Sequence, residues 1–135
     1  MTVFIDASAL VALIAGEEAA PALADCLDAD PTRLCSAMSA WETVAGLCRS
    51  YQFPVAAAQA RTRLFLDSLE ARFVPIGERE FELATEAYAT FGRGRHPAAL
   101  NMGDCFAYAC ARAQRAALLF TGEDFARTDI APARP

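Results

Sequence analysis

The sequence predicts an α/β fold: a doubly wound, mostly parallel sheet of four to five short strands flanked by helices. Three observations carry this expectation. Short apolar runs recur along the chain, at Val3-Phe4-Ile5, Arg33-Leu34-Cys35, Arg72-Phe73-Val74-Pro75-Ile76 and Leu118-Leu119-Phe120. Between them lie longer stretches whose apolar positions follow a helical period, and such alternation builds parallel sheets from βα units. The 135 residues contain no linker, internal repeat or low-complexity tract, so residues 1–135 read as one domain. A chain of this size buries roughly two thirds of its unfolded surface and holds a core without staples.

Each element has a local reason. Val3-Phe4-Ile5 is a buried strand ended by Asp6-Ala7-Ser8. A short helix follows over Ala9–Ile14, with Asp6 or Ser8 as its N-cap. Glu17–Leu27 reads as a second helix, and Arg33-Leu34-Cys35 as the second strand, ending at Ser36. From Met38 to Tyr51, Met38, Trp41, Val44, Ala45, Leu47 and Cys48 recur at helical spacing. Trp41 and Tyr108 read as core. Pro54 opens a helix to about Leu69, since its fixed φ suits a first turn. Arg72–Ile76 is a third strand and Glu78–Phe91 a helix. Gly92-Arg93-Gly94-Arg95-His96-Pro97 breaks the pattern and reads as a flexible loop. Asn101–Arg115 is helical, Leu118–Phe120 is the fourth strand, and a brief last strand is expected near Ile130.

Charge and composition exclude several classes of chemistry. All twelve basic residues are Arg. Without Lys there is no Schiff base, no phosphate-binding P-loop Lys and no Lys base. A net charge of -5 argues against non-specific coating of nucleic acid. It leaves room for a nuclease whose acids surround cations. The five cysteines have no CxxC pair and a single His beside them, so they read as small buried hydrophobes in a reducing compartment. The N-terminus lacks a basic region and carries Asp6, unlike a signal peptide, and no apolar run reaches the ~20 residues of a membrane span. The expectation is a cytoplasmic protein.

Ligands in such sheets bind at the carboxyl ends of the strands, which directs attention to Asp6, Ser36, Thr121 and their neighbours. Asp6 follows the first strand, and its ordinary role there is to cap a helix. A lone helix Glu is usually a solvated carboxylate, and the apolar flanks of Glu42 offer the other reading, a place at the edge of a cleft. Asp104 forms a capping pair with Asn101. The helix it opens is nearly all apolar, so Asp104 lies near the core and needs a partner. Glu123-Asp124 follows the fourth strand, where turn chemistry alone would suit Asp. Together these make three or four carboxylates, at least three of them expected at one rim of the sheet. Carboxylate clusters without Lys bind hard cations such as Mg²⁺ or Mn²⁺, and cations so held activate water against phosphodiesters.

At these residues the chain resembles the PIN-domain ribonucleases, specifically the VapC-type toxins of bacterial toxin–antitoxin pairs. The resemblance rests on Phe4-Ile5-Asp6-Ala7-Ser8-Ala9-Leu10, on Ser39-Ala40-Trp41-Glu42, and on the specific run His96-Pro97-Ala98-Ala99-Leu100-Asn101-Met102-Gly103-Asp104-Cys105. Leu118-Leu119-Phe120-Thr121-Gly122-Glu123-Asp124-Phe125 and Thr128-Asp129-Ile130 complete it. It implies a single PIN-like domain in which Asp6, Glu42, Asp104 and the acidic turn are catalytic and hold Mg²⁺ or Mn²⁺. Either Glu123 or Asp124 supplies the fourth carboxylate, and Asp124 is preferred. It also implies RNA cleavage, a homodimer, and a VapB-type antitoxin that inhibits by laying a peptide across the active-site groove. Antitoxin complexes would be heterotetramers or larger. Setting the four acids aside leaves the remaining surface nearly balanced in charge. Arg93, Arg95 and His96, just before Asp104, are the expected contacts for RNA phosphates.

Related acid-bearing folds fit less well. A haloacid-dehalogenase-type phosphatase needs an acid where Ser8 stands, a receiver domain needs a Lys, and a Rossmann dehydrogenase needs GxGxxG after the first strand. The alternative that stays open is an inactive PIN scaffold that binds RNA or a partner.

Overall fold

The computed structural model describes Met1–Pro135. Its elements are β1 (Thr2–Ile5), α1 (Ala7–Ala15), α2 (Ala20–Ala29), β2 (Thr32–Cys35), α3 (Ala37–Tyr51), α4 (Val55–Ser68), β3 (Arg72–Phe73), α5 (Glu78–Phe91), α6 (Met102–Ala113) and β4 (Ala117–Leu119). A 3₁₀ turn follows at Phe125–Arg127. The four strands form one sheet in the order β3-β2-β1-β4, and every pairing is parallel.

β1 lies inside the sheet and is covered on both faces. Val3, Phe4 and Ile5 are fully buried, which explains their unbroken apolar run. Strand pleating sends alternate side chains to opposite faces. Phe4 joins Leu34, Leu118 and the apolar side of α6 in one core. Val3 and Ile5 join Leu10, Leu23, Leu27 and Leu66 from α1, α2 and α4 in the other. The chain leaves β1 toward β2 on one side and returns to β4 on the other. The carboxyl end of β1 is therefore the switch point, where doubly wound sheets open a crevice.

Several local devices set the helix ends. Pro21 stands in the first turn of α2, which therefore begins at Ala20 and not at Glu17. Its carboxyl end is closed by Arg33, whose guanidinium donates to the Leu27 carbonyl at 2.7 Å and to the Asp30 carbonyl at 3.1 Å. Ser36 caps α3 through the amide of Ser39 at 3.1 Å. It is thus a structural cap and does not face the cleft described below.

Three expectations change. β3 is an exposed edge strand of two residues, shorter than Arg72–Ile76. Val74 still donates to the Cys35 carbonyl at 2.8 Å, but β2 ends there and Ser36 turns the chain into α3, leaving no further partner for the ladder. No last strand forms at Ile130. The tail touches β4 through one bridge, Leu118 with Pro132, in which the Leu118 amide donates to the Ala131 carbonyl and the Ala133 amide to the Leu118 carbonyl, both at 2.9 Å. Trp41 is 70% exposed and not core. Its position meets the helical period, but no element packs over that side of α3. Tyr108 is buried as expected, and its hydroxyl donates to Asp129 at 2.6 Å while accepting from Arg112 at 2.8 Å. All five cysteines are free and four are buried. Burial pushes the Cys35 and Cys105 thiols up to about 11 and Cys110 to about 12, so they are inert apolar groups.

Candidate active site

A cleft of about 300 Å³ opens at the carboxyl ends of β1 and β4, lined by Asp6, Ser8, Glu42, Arg49, Asp104 and Thr121 among others. Three of the expected acids therefore meet in one place, though 98 positions separate Asp6 from Asp104 along the chain.

Asp6 is 5% exposed and caps α1. Its Oδ2 accepts both the Ser8 amide at 3.0 Å and the Ser8 hydroxyl at 2.6 Å. The two residues weighed as alternative caps thus work as a pair. The Ser8 oxygen also accepts the Thr121 amide at 3.1 Å, joining the ends of β1 and β4. Burial pushes the Asp6 carboxyl up, and the bonds from Ser8 pull it partly back.

Glu42 projects from α3 and is half-buried. Desolvation, with the charges of Asp6 and Asp104, pushes its carboxyl to about 7, and Arg49 opposes this. Asp104 stands in the first turn of α6. It makes a reciprocal capping box: its amide donates to Asn101 Oδ1 at 2.9 Å, and its Oδ2 accepts the Asn101 amide at 3.1 Å. Desolvation raises it to about 6, the Asn101 amide opposes this, and the charges of Asp6 and Asp124 add to the rise. The capping role read from the sequence and the place in the cleft are both real for Asp6 and Asp104.

The acidic turn behaves differently. Gly122 takes φ +86 to reverse the chain after Thr121, and Glu123 and Asp124 are both exposed. Neither lines the cleft. Asp124 is nevertheless the one whose charge reaches Asp104. In the basic loop, Arg93 is close enough to lower the Asp104 carboxyl. Arg95 lies over the Tyr88 ring at 4.9 Å. His96 is half-buried and accepts the Ala98 amide at Nδ1 (3.0 Å), with its ring edge-on to Phe91. The loop is pinned at its base by Gly92 and Leu100, and Arg127 ties it to the acidic turn through the Pro97 carbonyl at 3.2 Å.

No three side chains among His, Cys, Asp and Glu stand close enough to grip one ion as a closed cage. The donor set still suits a hard dication. It is all oxygen, and its members raise one another's proton affinity, which an added positive charge would relieve. Mg²⁺ keeps several waters and takes only one or two carboxylates at a typical site, so an open cleft of this kind fits it.

Sequence reasoning missed Arg49 and Gly103. Arg49 lies seven residues, about two turns, beyond Glu42 on α3, a spacing that sets both on one helix face, and both line the cleft. A second groove of about 350 Å³ between α3 and α4, bordered by Trp41, Val55 and Phe73, is mainly apolar and has no acid cluster.

A parallel sheet with carboxylates gathered at its switch point carries its cleft where doubly wound α/β folds bind their ligands. The sequence matches the PIN domain over residues 3–131, and the chain belongs to that family. It is similar to ribonuclease VapC30 of Mycobacterium tuberculosis, with 39% identity over 127 residues, covering 94% of this chain and 95% of the relative. Ribonuclease VapC28 of the same organism is 42% identical over 131 residues, 93% of each chain. Ribonuclease VapC42 is 35% identical over 130 residues, 96% of this chain and 97% of the relative. Among solved structures, the sarcin-ricin loop cleaving toxin VapC20 of M. tuberculosis superposes with a TM-score of 0.76 at 22% identity, covering 99% of this chain and 100% of that one. A toxin–antitoxin complex from Klebsiella pneumoniae gives a TM-score of 0.68 at 21% identity, covering 96% and 93%. These two likenesses extend the agreement in fold.

Proposed function

We propose that the protein is an endoribonuclease toxin of a VapBC-type module, hydrolysing RNA phosphodiesters with Mg²⁺ or Mn²⁺. The observation that supports this most is the convergence of Asp6, Glu42 and Asp104, from three elements, in one cleft of a PIN domain. Similarity to several VapC ribonucleases over nearly the whole chain supports the activity.

In this reading Asp6 and Asp104 hold the cation with Glu42 as a further ligand or as the water-orienting base, and Asp124 adds negative charge from the rim. When bound, the cation makes water a nucleophile at neutral pH and neutralises charge on the phosphate. Glu42 lines the same cleft, which places its Oε atoms to serve as a general base. Ser8 keeps Asp6 in one rotamer with Oδ1 free of bonds from Ser8. Arg93, Arg95 and His96 draw RNA phosphates toward the cleft, and Arg93 also tempers the charge on Asp104.

The partners in this reading are RNA, a VapB-type antitoxin and a second copy of the chain, assembled as heterotetramers or larger in the cytoplasm. Phe81 (61% exposed), Met102 (69%) and Trp41 (70%) leave apolar helix surface that such an assembly would cover. No single helix is long and apolar enough to cross a membrane.

The test is cleavage of total RNA by purified, partner-free protein in Mg²⁺, Mn²⁺ or EDTA, beside Asp6→Asn. Discrete fragments that need metal and vanish in the variant are expected. Failure both to cleave and to bind metal would overturn the proposal in favour of an inactive binding scaffold.

A further inference from the structure

We infer that Gly103 is a positioning residue, whose missing side chain admits the Glu42 carboxylate to the acidic cleft. A Cβ at position 103 would stand 1.9 Å from Oε2 of Glu42, 2.4 Å from its Cδ and 2.5 Å from its Oε1. Real Cβ atoms essentially never come within 3.0 Å of another group. All three atoms of the carboxyl group collide, so rotating that group about its last bond gives no relief. Glu42 has to leave the slot if any side chain enters it.

The backbone gives no other reason for glycine here. Gly16, Gly94 and Gly122 have positive φ and nothing near a would-be Cβ, so they serve their own turns. Gly103 is the reverse: its φ is ordinary, it is buried, and it is the second residue of α6. Glycine is a poor helix former and alanine the best, so local propensity favours alanine at this position. The contact it protects belongs to another helix, α3. Glu42 rests against the first turn of α6, where the helix dipole favours a negative group and where Asp104 also stands. One small residue thus sets the distance between the α3 acid and the α6 acid.

The inference rests on the reading of the cleft as a metal-dependent nuclease. Three variants test it: Gly103→Ala alone, with Glu42→Asp, and with Glu42→Ala. Each is measured by Mn²⁺ binding calorimetry, by thermal melting and by RNA cleavage. Gly103→Ala is expected to fold, to bind Mn²⁺ more weakly and to cleave slower on the order of 100-fold, as for a misplacement of about 1 Å. Adding Glu42→Asp, one methylene shorter, recovers Mn²⁺ binding toward the parent value. In the Glu42→Ala background, Gly103→Ala changes Mn²⁺ binding no further and raises the melting temperature. Parental Mn²⁺ affinity and cleavage in Gly103→Ala would overturn the inference. So would an equal effect with and without Glu42. If Gly103→Ala alone does not fold, refolding in the Glu42→Ala background supports the inference, and failure in both backgrounds overturns it. Asp104→Asn separates the two levels. If it too binds Mn²⁺ and cleaves normally, the nuclease reading fails. If it is inactive while Gly103→Ala is normal, only the role of Gly103 falls.

Discussion

The two ends of the acidic rim are built on opposite principles. At one end Asp6, Glu42 and Asp104 sit on a strand end and on two helices, partly or wholly buried, each fixed by a bond or a packed neighbour. At the other, Glu123 and Asp124 ride an exposed turn that reaches the cleft only through its field on Asp104. Buried carboxylates are costly unless a proton or cation compensates them, so the first end is poised and carries a free-energy penalty. The exposed turn costs little and is screened by water and salt.

The largest effect that separates the two ends is on cleavage. Asp6→Asn and Asp104→Asn are expected to lower the cleavage rate on the order of 10²–10³-fold, the range for removing one group that stabilises transition-state charge. Both variants should fold, because an Asn oxygen can still accept the Ser8 and Asn101 bonds. Circular dichroism beside the cleavage assay checks this. Unchanged cleavage in either variant would break the contrast.

The next effect is on stability. Ser8→Ala removes a hydrogen bond to a buried carboxylate and the link to Thr121, and should cost roughly 1.5–3 kcal/mol in urea unfolding. Ser8→Thr keeps a hydroxyl and should recover much of this.

The poised end should also appear in the pH dependence of stability. Glu42 is raised from 4.5 to about 7, and Asp104 from 3.8 to about 6. A raised carboxylate binds more protons in the folded state than in the unfolded one. Its contribution to stability is therefore complete below the unfolded value and is lost as pH rises through the folded one. The metal-free protein should melt at progressively lower temperature from about pH 4 to pH 7, and Glu42→Gln should flatten that slope. Saturating Mn²⁺ should also flatten it, since the ion competes with the protons. A melting temperature that rises over this window would contradict the arrangement.

The smallest effect belongs to the turn. Asp124→Asn should slow cleavage only roughly fivefold, the worth of about 1 kcal/mol for charges interacting through water. Glu123→Gln should leave the rate at the parent value, and the reverse order would reassign the fourth acid. Raising the salt concentration should erase the Asp124 effect while leaving that of Asp6.

The pattern of what was legible follows the same division. The positions of Asp6 and Asp104 could be read because each closes a strongly patterned element: a fully apolar strand in one case and an Asn101 cap in the other. Glu42 was legible only through its apolar flanks and the resemblance of its motif. The sequence kept both Glu123 and Asp124 open, with Asp124 preferred, because a turn presents both and its approach to α6 is a tertiary fact. Trp41 went wrong for a related reason. Helical periodicity reports which positions share a face, but whether a neighbouring element covers that face is a tertiary fact.

The chain by itself determined the alternation of strands and helices, the burial of Val3, Phe4 and Ile5, the caps and the all-oxygen character of the rim. These follow from side-chain chemistry and spacing along a few consecutive residues. Tertiary structure decided that α3 crosses α6 closely enough for Glu42 to fill the space over Gly103. It also decided that Asp6, Glu42 and Asp104 line one cleft and that the tail adds only a single bridge beside β4. Such relations join residues tens of positions apart, and the packing of whole elements, which no local pattern encodes, sets those distances.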